Sequence, residues 1–387
     1  MKGAARRGLA SAFIPALLAA CGGGSEAPAD RPVAQWTLAP QPTARIGGGD
    51  GADALYIATS ARRMADGRIA VASAGAGQIR IFDERGTLTD SVGRKGNGPG
   101  ELQFPTWIGT RADSLLVWDS GRLSVFGPDG RFARSAAPDL GGALFPSVTG
   151  QFADGSLLLA VSDQSATAQA EGKAWRGRLR FIRVAPDGRV MDTVKVAPSG
   201  ERYAYSRGST GRVVEDLPFG RRTVAAVAGD RFLFGTGEDY RISAVQGAAG
   251  ERELIRRSWT PRKVTPSDVR DYWARMVTLG GAEREDRETA AARARIPYPE
   301  ALPPYQRLLV AADGTIWVQD AALPREWDAT TRWRIFSPDG TPLSELSLPG
   351  RLTLHQIGPD WILSTSLDDE QREIVRVDRY QRATPAG

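Results

Sequence analysis

Short apolar runs, many of them alternating with polar residues, recur along the chain from about residue 60 onward. Each run follows an Asp-Gly turn or a variant of it, and where the units are simple, neighbouring turns lie about 40 to 50 residues apart. Alternation with a period of two predicts a β-strand that has one face in a core. The turns that open these runs are at Asp66, Asp113, Asp154, Asp230, Asp313 and Asp360.

A second turn follows in most of these units. Its commonest form is Pro-Asp-Gly, at residues 128–130, 186–188 and 338–340. Proline presets one dihedral angle and glycine supplies a positive φ, so each tripeptide indicates a tight turn between two further strands. Each unit is therefore predicted to contain four antiparallel strands. The units span residues 55–93, 105–138, 145–197, 219–260, 305–349 and 352–381.

Six copies of one unit predict an all-β fold, the six-bladed β-propeller. A pair of β-sandwiches is the alternative, but it does not require six copies of the same pattern. The last unit is one strand short, because residues 374–378 are followed only by a polar tail. Residues 35–38 and 44–46, which precede the first unit, are the obvious donors of the missing outer strand, so we expect an N-terminal strand to close the last blade.

The loop at residues 93–105 reads Gly-Arg-Lys-Gly-Asn-Gly-Pro-Gly-Glu-Leu-Gln-Phe-Pro, and Leu-Val-Trp-Asp and Arg-Leu-Ser-Val-Phe follow at residues 116–119 and 122–126. This pattern resembles the NHL-repeat consensus. Phe-Pro, Pro-Phe or Pro-Tyr pairs ahead of other first strands are similar to it. The resemblance implies the six-bladed propeller lipoproteins of bacteria, a group largely without assigned activity.

The N-terminus has the three parts of a signal peptide. Residues 1–7 are short and basic, an apolar stretch runs from Leu9 to Leu18, and two alanines lead into Cys21. The stretch is too short to span a bilayer stably. The tetrapeptide Leu-Ala-Ala-Cys resembles the bacterial lipobox, which implies acylation of Cys21. The alternative is an ordinary cleaved signal with a chance cysteine.

The chain is predicted to divide into a lipoprotein signal peptide at 1–20, a flexible tether at 21–32 and a propeller at 33–384. The tether is rich in Gly, Ser, Ala and Pro, a composition that does not bury a core. Two glycines follow Cys21, where an inner-membrane retention aspartate would stand. The resemblance to lipoproteins therefore implies an anchor in the outer membrane of the cell envelope.

The turns separate two faces of the predicted disc. In an up-and-down blade, the first-to-second and third-to-fourth turns share one face, and every Asp-Gly and Pro-Asp-Gly turn falls there. The long connections fall on the other face, which we call the looped face. Loops held on a rigid scaffold are where binding sites are usually built. The long connections are residues 93–105, 163–177, 198–222, 261–304 and 321–331.

The longest connection, at about 261–304, is predicted to be a helical insertion between the fourth and fifth blades. Thr265 provides an N-cap, Pro266 the first helical position and Asp268 an acid in the first turn, so a helix is expected to begin there. A second, charge-rich helix is predicted at 283–295. The pair would either pack on the disc or act as a lid over its central depression.

The composition of the chain argues against several classes of partner and of catalytic site. The 387 residues carry a formal charge of only +5, and three of the positive residues lie in the first seven, so no nucleic-acid partner is implied. Cys21, His355 and Asn97 are each the single residue of their type. An intrachain disulfide is thereby excluded. Zinc lyases that need several histidines and quinone dehydrogenases that need a histidine base are disfavoured, and His355 reads as a loop residue of the last unit.

Three carboxylates end second strands, at Asp119, Asp163 and Asp320, and Asn97 and Glu101 lie in a neighbouring loop. Oxygen ligands from several strands could hold Ca²⁺ at the mouth of the pore, as in the six-bladed lactonases. That family also uses asparagine, and Asn97 is the only one present. The alternative is that these aspartates accept hydrogen bonds from backbone amides of the adjoining turns.

Basic residues add positive charge to the looped face. Arg94, Lys95 and Arg122 lie in or near the loop at 93–105, and Arg221 and Arg222 follow the connection after the third unit. Together they could receive a carboxylate or a phosphate group. A solvated charged rim is the alternative.

These features predict a monomeric, lipid-anchored envelope propeller that binds or scaffolds a protein or glycan partner through its looped face. Catalytic residue types are scarce, so no cofactor and no reaction are expected, and the lipid supplies the contact with the membrane. The alternative is a metal-assisted, Ca-type lactonase or hydrolase that uses the pore-mouth carboxylates.

Overall fold

The computed structural model describes residues 34–49, 51, 53–143, 145–163, 172–206, 211–279 and 287–383. Within these ranges the regular structure is almost all β-strand, with α-helices α1 (Pro266–Leu279) and α2 (Arg287–Arg293). Neither helix has the length and apolarity needed to cross a membrane. The predicted signal peptide, the tether and Cys21 lie outside the described residues.

The first strands in the described part of the chain are β1 (Ala34–Leu38) and β2 (Ala44–Gly47). Two antiparallel sheets follow, in which the strands are neighbours in chain order. Between them, β7 (Arg94–Lys95) and β8 (Glu101–Leu102) form a short parallel pair. The strands of the two sheets are β3 (Ala58–Arg63), β4 (Ile69–Ser73), β5 (Gln78–Phe82) and β6 (Leu88–Val92), and then β9 (Pro105–Arg111), β10 (Ser114–Asp119), β11 (Arg122–Phe126) and β12 (Phe132–Ala136).

The third sheet is larger than predicted. Residues 198–222 were expected to form a loop, but a long strand continues to Ser206 and a fifth strand returns alongside it. The reason is that Tyr203 and Tyr205 are buried with Leu217, so this extension has an apolar cluster of its own. The five strands are β13 (Ser147–Gln151), β14 (Leu157–Ser162), β15 (Trp175–Val184), β16 (Val190–Ser206) and β17 (Arg212–Asp216).

The fourth and fifth runs of strands repeat the simple antiparallel pattern, and both helices lie between them in the chain. A one-turn 3₁₀ helix, Pro324–Glu326, lies in the connection between the second and third strands of the fifth run. The strands are β18 (Val224–Ala228), β19 (Arg231–Gly235), β20 (Arg241–Val245) and β21 (Glu251–Arg256), and then β22 (Tyr305–Val310), β23 (Ile316–Asp320), β24 (Thr330–Phe336) and β25 (Pro342–Pro349).

The N-terminal segment joins the last strands. These are β26 (Thr353–Ile357), β27 (Trp361–Leu367) and β28 (Glu373–Gln381). β2 runs antiparallel to β28, from Ala44 opposite Val377 to Gly47 opposite Ile374. β1 pairs parallel to β25 and, at its end, antiparallel to β28. The segment at 44–46 therefore pairs with the last strand, as the sequence predicts. The segment at 35–38 departs from that prediction, because Gln35 and Trp36 pair with β25 of the fifth run and only Thr37 and Leu38 pair with β28.

The Asp-Gly and Pro-Asp-Gly sequences form the tight turns. In the simplest case, Oδ1 of Asp154 accepts the backbone N–H of Ser156 at 2.9 Å, because a short acidic side chain can bond to the backbone two residues on. Gly340 has φ of +93°, and an added Cβ would lie 2.0 Å from the carbonyl oxygen of Leu254 on β21. Glycine at this turn therefore permits both the backbone conformation and the close approach of the neighbouring sheet.

The sheets are arranged around a common axis. The first strands contact one another in the order β3, β9, β13, β18 and β22, and β26 contacts β3. Arg307 on β22 donates from Nη2 to the carbonyl oxygen of Leu354 on β26 at 2.9 Å, which links the remaining pair. The core lies between neighbouring sheets, where Leu233 of β19 packs in one cluster with Ile316 of β23. This radial arrangement is a β-propeller.

Candidate functional site

The loop at 93–105 is held together by its own polar residues. Oε1 of Glu101 accepts a hydrogen bond from Nε of Arg94 at 2.8 Å, and Oε2 accepts the backbone N–H of Gly98 at 2.9 Å. The Gly98 amide, and then Arg94, lower the pKa of Glu101. Lys95 donates from Nζ to the carbonyl oxygen of Gly75 at 3.1 Å. Both oxygens of the predicted ligand Glu101 are therefore engaged in shaping the loop.

Asp119 and Arg122 fasten this loop to the second sheet. Asp119 is only 1% exposed, and its two oxygens accept the backbone N–H groups of Gln103 at 3.0 Å and Phe104 at 2.6 Å. Arg122 donates from Nη2 to the carbonyl oxygen of Glu101 at 2.8 Å and from Nη1 to that of Asn97 at 3.3 Å. Asp119 thus takes the backbone-bonded role that the sequence offered as the alternative to metal binding.

Asp163 lies apart from that loop. It borders a cavity of about 290 Å³ whose wall also includes Trp175, Arg202 and Arg222. Its backbone N–H donates to the carbonyl oxygen of Arg178 at 2.9 Å. Residues of β15, β16 and β17, the last three strands of the third sheet, contribute to its wall.

Asp320, at the end of β23, is paired with arginine. Nε of Arg334 on β24 lies 2.9 Å from Oδ1 of Asp320, and Arg334 also contacts the carboxylate of Glu345. Burial raises the pKa of Asp320, and the positive charge of Arg334 opposes that shift. In the described part of the chain no three acidic, histidine or cysteine side chains come together as a metal-binding group, so the structure does not gather Asp119, Asp163 and Asp320 into one cluster.

Asp320 instead borders a polar cavity on the looped face. This cavity, which we call the Tyr240 pocket, has a volume of about 640 Å³ and lies between the sheet β18–β21 and the sheet β22–β25. Its wall comes from the ends of β23, β24 and β25 and from the connections that follow β19 and β21. The residues that define it are Tyr240, Arg257, Trp259, Asp320, Thr331 and Arg332.

The pocket holds buried hydroxyl groups beside charged groups. Tyr240 is 3% exposed and Thr331 is 5% exposed, and neither hydroxyl has a hydrogen-bond partner among the residues that the structure describes. Burial raises the pKa of Tyr240 well above its ordinary value, so the phenol stays protonated and can donate. The Arg257 guanidinium lies 5.6 Å from the centre of the Tyr240 ring.

Helix α1 fixes one wall of the pocket. Thr265 and Asp268 form a capping arrangement, in which Oδ2 of Asp268 accepts the Thr265 backbone N–H at 2.9 Å and the Thr265 hydroxyl at 2.6 Å. Asp268 also pairs with Arg325, and Nη2 of Arg275 lies 2.6 Å from Oδ2 of Asp328. These contacts hold the connection at 321–329 against the helix.

Both helices of the insertion pack against neighbouring elements. The ring of Tyr272 in α1 packs against Trp327, with ring centroids 5.7 Å apart. Ala292 in α2 is buried with Tyr203 and Tyr205 of the extended third sheet. The described parts of both helices thus rest on neighbouring elements of the looped face.

Sequence reasoning identified only Asp320 of the residues that define the pocket. The sequence pattern points to the ends of second strands, whereas Tyr240 precedes a third strand and Thr331, Arg332 and Arg334 lie on one. A signal was present in the alternation Arg-Trp-Arg at 332–334, because Trp333 is fully buried on one face and the two arginines therefore share the other. The unpartnered hydroxyls had no such signal.

No protein-family model matches the chain, and no curated protein matches it. Among solved structures, it is similar to a member of the DUF4221 family from Bacteroides vulgatus, with a TM-score of 0.53 and 11% identity over 90% of this chain and 99% of that one. A Bacteroides fragilis protein described as exported gives 0.49 and 12%, over 90% and 95%. The calcium-binding protein regucalcin from Agrobacterium tumefaciens gives 0.40 and 12%, over 89% and 96%. At these identities the likeness concerns the fold alone.

Proposed function

We propose that the protein is a lipid-anchored propeller of the cell envelope that binds a glycan or protein partner through its looped face and catalyses no reaction. The Tyr240 pocket is the observation that carries this proposal, because it combines a volume of about 640 Å³ with buried hydroxyls that lack partners in the described chain. Pockets of roughly 300 to 1,000 Å³ with a few convergent polar groups are typical of ligand sites.

The state of the carboxylates supports binding over metal-assisted hydrolysis. Both oxygens of Asp119 accept backbone N–H groups, and Asp320 is paired with Arg334, so neither side chain offers a free pair of oxygens to Ca²⁺. Lactone and ester hydrolysis should therefore be unchanged by added Ca²⁺. Hydrolysis that requires Ca²⁺ and disappears in both Asp119→Asn and Asp320→Asn would instead establish the lactonase alternative.

The proposal takes the propeller as six-bladed and related to the NHL-type lipoproteins. Support comes from the inner contacts among β3, β9, β13, β18, β22 and β26, each of which begins one set of antiparallel strands. On this assignment β2 completes the last blade, β1 lies between β25 of the fifth blade and β28 of the last blade, and helices α1 and α2 are inserted between the fourth and fifth blades. The long connections then share one rim around the central channel.

Anchoring through Cys21 has a direct test. The apolar stretch and the lipobox-like residues before Cys21 support acylation, and several acyl chains on one residue bind a membrane more strongly than a single myristoyl chain. The Cys21→Ala variant should leave the membrane fraction or remain unprocessed. A processed variant that stays with the membrane would contradict the lipid anchor.

The binding face can be tested by photo-crosslinking in intact cells. A photoreactive side chain is placed at Thr260, which is exposed at the pocket, or at Asp129, which is exposed in a tight turn of the opposite face. Adducts are expected from position 260 and not from position 129. Adducts from both positions alike, or from neither, would contradict binding through the looped face.

A further inference from the structure

The Tyr240 pocket has features that select a ligand class more narrowly than the proposed function does. Tyr240 and Thr331 border it, and the buried hydroxyls of these two residues have no partner among the described residues. A buried hydroxyl without a hydrogen bond is costly to the fold, because it has given up water and gained nothing in return. A ligand that presents oxygen atoms at this depth would satisfy both groups.

The arginines that border the pocket differ in how they are paired. Arg334 is matched by Asp320 and Glu345, Arg262 is matched by Glu326, and Arg257 lies over the ring of Tyr240. Arg332 is different. Its side chain is 56% exposed, and its ion pair with Glu345 is a loose contact of 3.8 Å. A group of negative charge therefore fits beside Arg332.

The rest of the wall is rich in hydroxyls. Ser258, Thr260 and Ser347 border the pocket together with the indole of Trp259. The apolar side chains among the described lining residues are, besides the aromatic rings, only alanine and proline. Ligand sites are usually lined mainly by apolar side chains, so this wall suits a polyhydroxylated ring that can also stack one face on an aromatic side chain.

We propose that the Tyr240 pocket binds an acidic sugar, a uronic acid residue of a glycan, with its carboxylate beside Arg332 and its ring oxygens on the hydroxyls of Tyr240 and Thr331. The inference rests on the proposed binding function and names its ligand. Asp320 and Arg334 form the fixed base of the pocket and keep the third strand in position.

Titration calorimetry on the full-length lipoprotein in detergent tests the ligand class. The probes are oligosaccharides of glucuronate, galacturonate and mannuronate, each paired with its carboxyl-reduced neutral counterpart. At least one acidic probe should bind tenfold or more tightly than its neutral counterpart, and added salt should weaken that binding. If no acidic probe exceeds its neutral counterpart, the proposal is wrong. A sugar phosphate serves as a further arm, and binding of the phosphate alone would also overturn it.

Two variants locate the site. Arg332→Gln and Tyr240→Phe should each reduce affinity for the acidic probe about tenfold, because the first removes the positive charge beside the carboxylate and the second removes one hydroxyl donor. The matched control is Arg131→Gln, since Arg131 is also exposed and its partner Asp129 lies 3.7 Å away, but on the opposite face. Equal losses in the control and in Arg332→Gln would place the binding elsewhere.

Failure of this inference can be separated from failure of the proposed function. Photo-adducts at position 260 without binding of any uronate would mean that the looped face has a partner of another class. Absence of both results would contradict the proposed function itself. Thermal melting of Tyr240→Phe is measured in parallel, and only a variant that melts like the wild-type protein is used for the comparison.

Discussion

Asp119 and Asp320 hold the same position in their sheets, at the end of a second strand, but their surroundings differ. Asp119 accepts two backbone N–H groups, from Gln103 and Phe104. Asp320 meets a guanidinium, and burial raises its pKa. One residue type at one position therefore fixes a loop in one sheet and forms the base of a pocket in another.

The role of Asp119 predicts a cost for its amide analogue. Asp119→Asn keeps the shape but replaces one acceptor with an NH₂ group that faces a backbone N–H. The free energy of unfolding should fall by about 1 to 3 kcal/mol, because a buried donor is left without an acceptor. Urea denaturation measures the change.

Asp129→Asn is the control for this substitution. The Asp129 side chain is exposed and accepts the Arg131 backbone N–H through one oxygen, a bond that asparagine retains. Its effect should stay within about 0.5 kcal/mol. Equal effects at the two positions would contradict the loop-fastening role of Asp119.

His355 lies on strand β26 and not, as the sequence indicated, in a loop. It is predicted to make the fold sensitive to acid. Burial and, to a smaller extent, Arg307 lower the pKa of His355 from 6.5 to about 4. As pH falls below 6.5, His355 therefore binds a proton in the unfolded chain but stays neutral in the folded chain. Above pH 6.5 the titration of His355 does not lower the free energy of unfolding. As pH falls from 6.5 toward 4, this titration lowers the free energy of unfolding by about 3 kcal/mol in total.

The His355→Gln variant removes this titration and can still bond to the Thr365 hydroxyl, which lies 3.1 Å from Nε2 of the imidazole. Urea denaturation at pH 7 and pH 4.5 should show a smaller loss of unfolding free energy in the variant than in the wild-type protein. The carboxylates titrate alike in both proteins, so the difference isolates His355. Equal losses would mean that His355 does not resist protonation in the folded state.

At the scale of the element, the N-terminal cap of α1 also helps to hold a wall of the Tyr240 pocket in place. The capping residues Thr265 and Asp268 bond to each other, and Asp268 is fully buried against Arg325. Burial works to raise the pKa of Asp268, but the bonds from Thr265 and Arg325 outweigh it and lower that pKa. The helix start and the connection at 321–329 are therefore one structural unit.

Removing the cap should loosen that unit. Thr265→Ala is expected to lower the free energy of unfolding by about 1 kcal/mol, because an N-terminal backbone donor of the helix loses its acceptor. Ser267→Ala, an exposed position in the first turn, is the control and should be neutral. Thermal melting compares the two, and equal midpoints would show that the cap contributes nothing.

The start of α1 was predictable because a cap, a proline and an acid are local signals. The extension of the third sheet was not predictable. Strand β16 passes through Pro198, and its end is buried by Leu217 on the returning segment and by Ala292, which lies more than 80 residues further along the chain. The same limit applies to the candidate site. The turns around it can be predicted from neighbouring residues in the sequence. Tyr240 and Thr331, by contrast, border the same pocket only because two sheets pack together.

At the scale of the molecule, the chain ends are joined. Trp36 of β1 is 7% exposed and stacks on Tyr380 of β28, with ring centroids 5.4 Å apart. It also meets Trp317 edge to face at 6.0 Å. The N-terminal strands thus add both main-chain hydrogen bonds and a buried aromatic cluster to the C-terminal end of the chain.

Deleting residues 33–46 should lower the melting midpoint substantially. The deletion removes the hydrogen bonds of β1 and β2, each worth about 1 kcal/mol net, and the burial of Trp36, worth about 2 kcal/mol or more. Their sum is comparable to the ~5 to 15 kcal/mol that stabilises a typical domain. Trimming residues 22–32 instead should leave the midpoint unchanged. Equal midpoints for the two truncations would mean that the N-terminal strands do not stabilise the ring.

The pairing of β2 with β28 also governs the order of folding. A ribosome makes the N-terminal strands first, and at about 5 to 20 residues per second their partner strand emerges roughly 20 to 70 s later. Until then they are unpaired strand edges, which are prone to associate with other chains. Because their partner strand is made last, we expect the N-terminal strands to be among the last elements to join the folded protein.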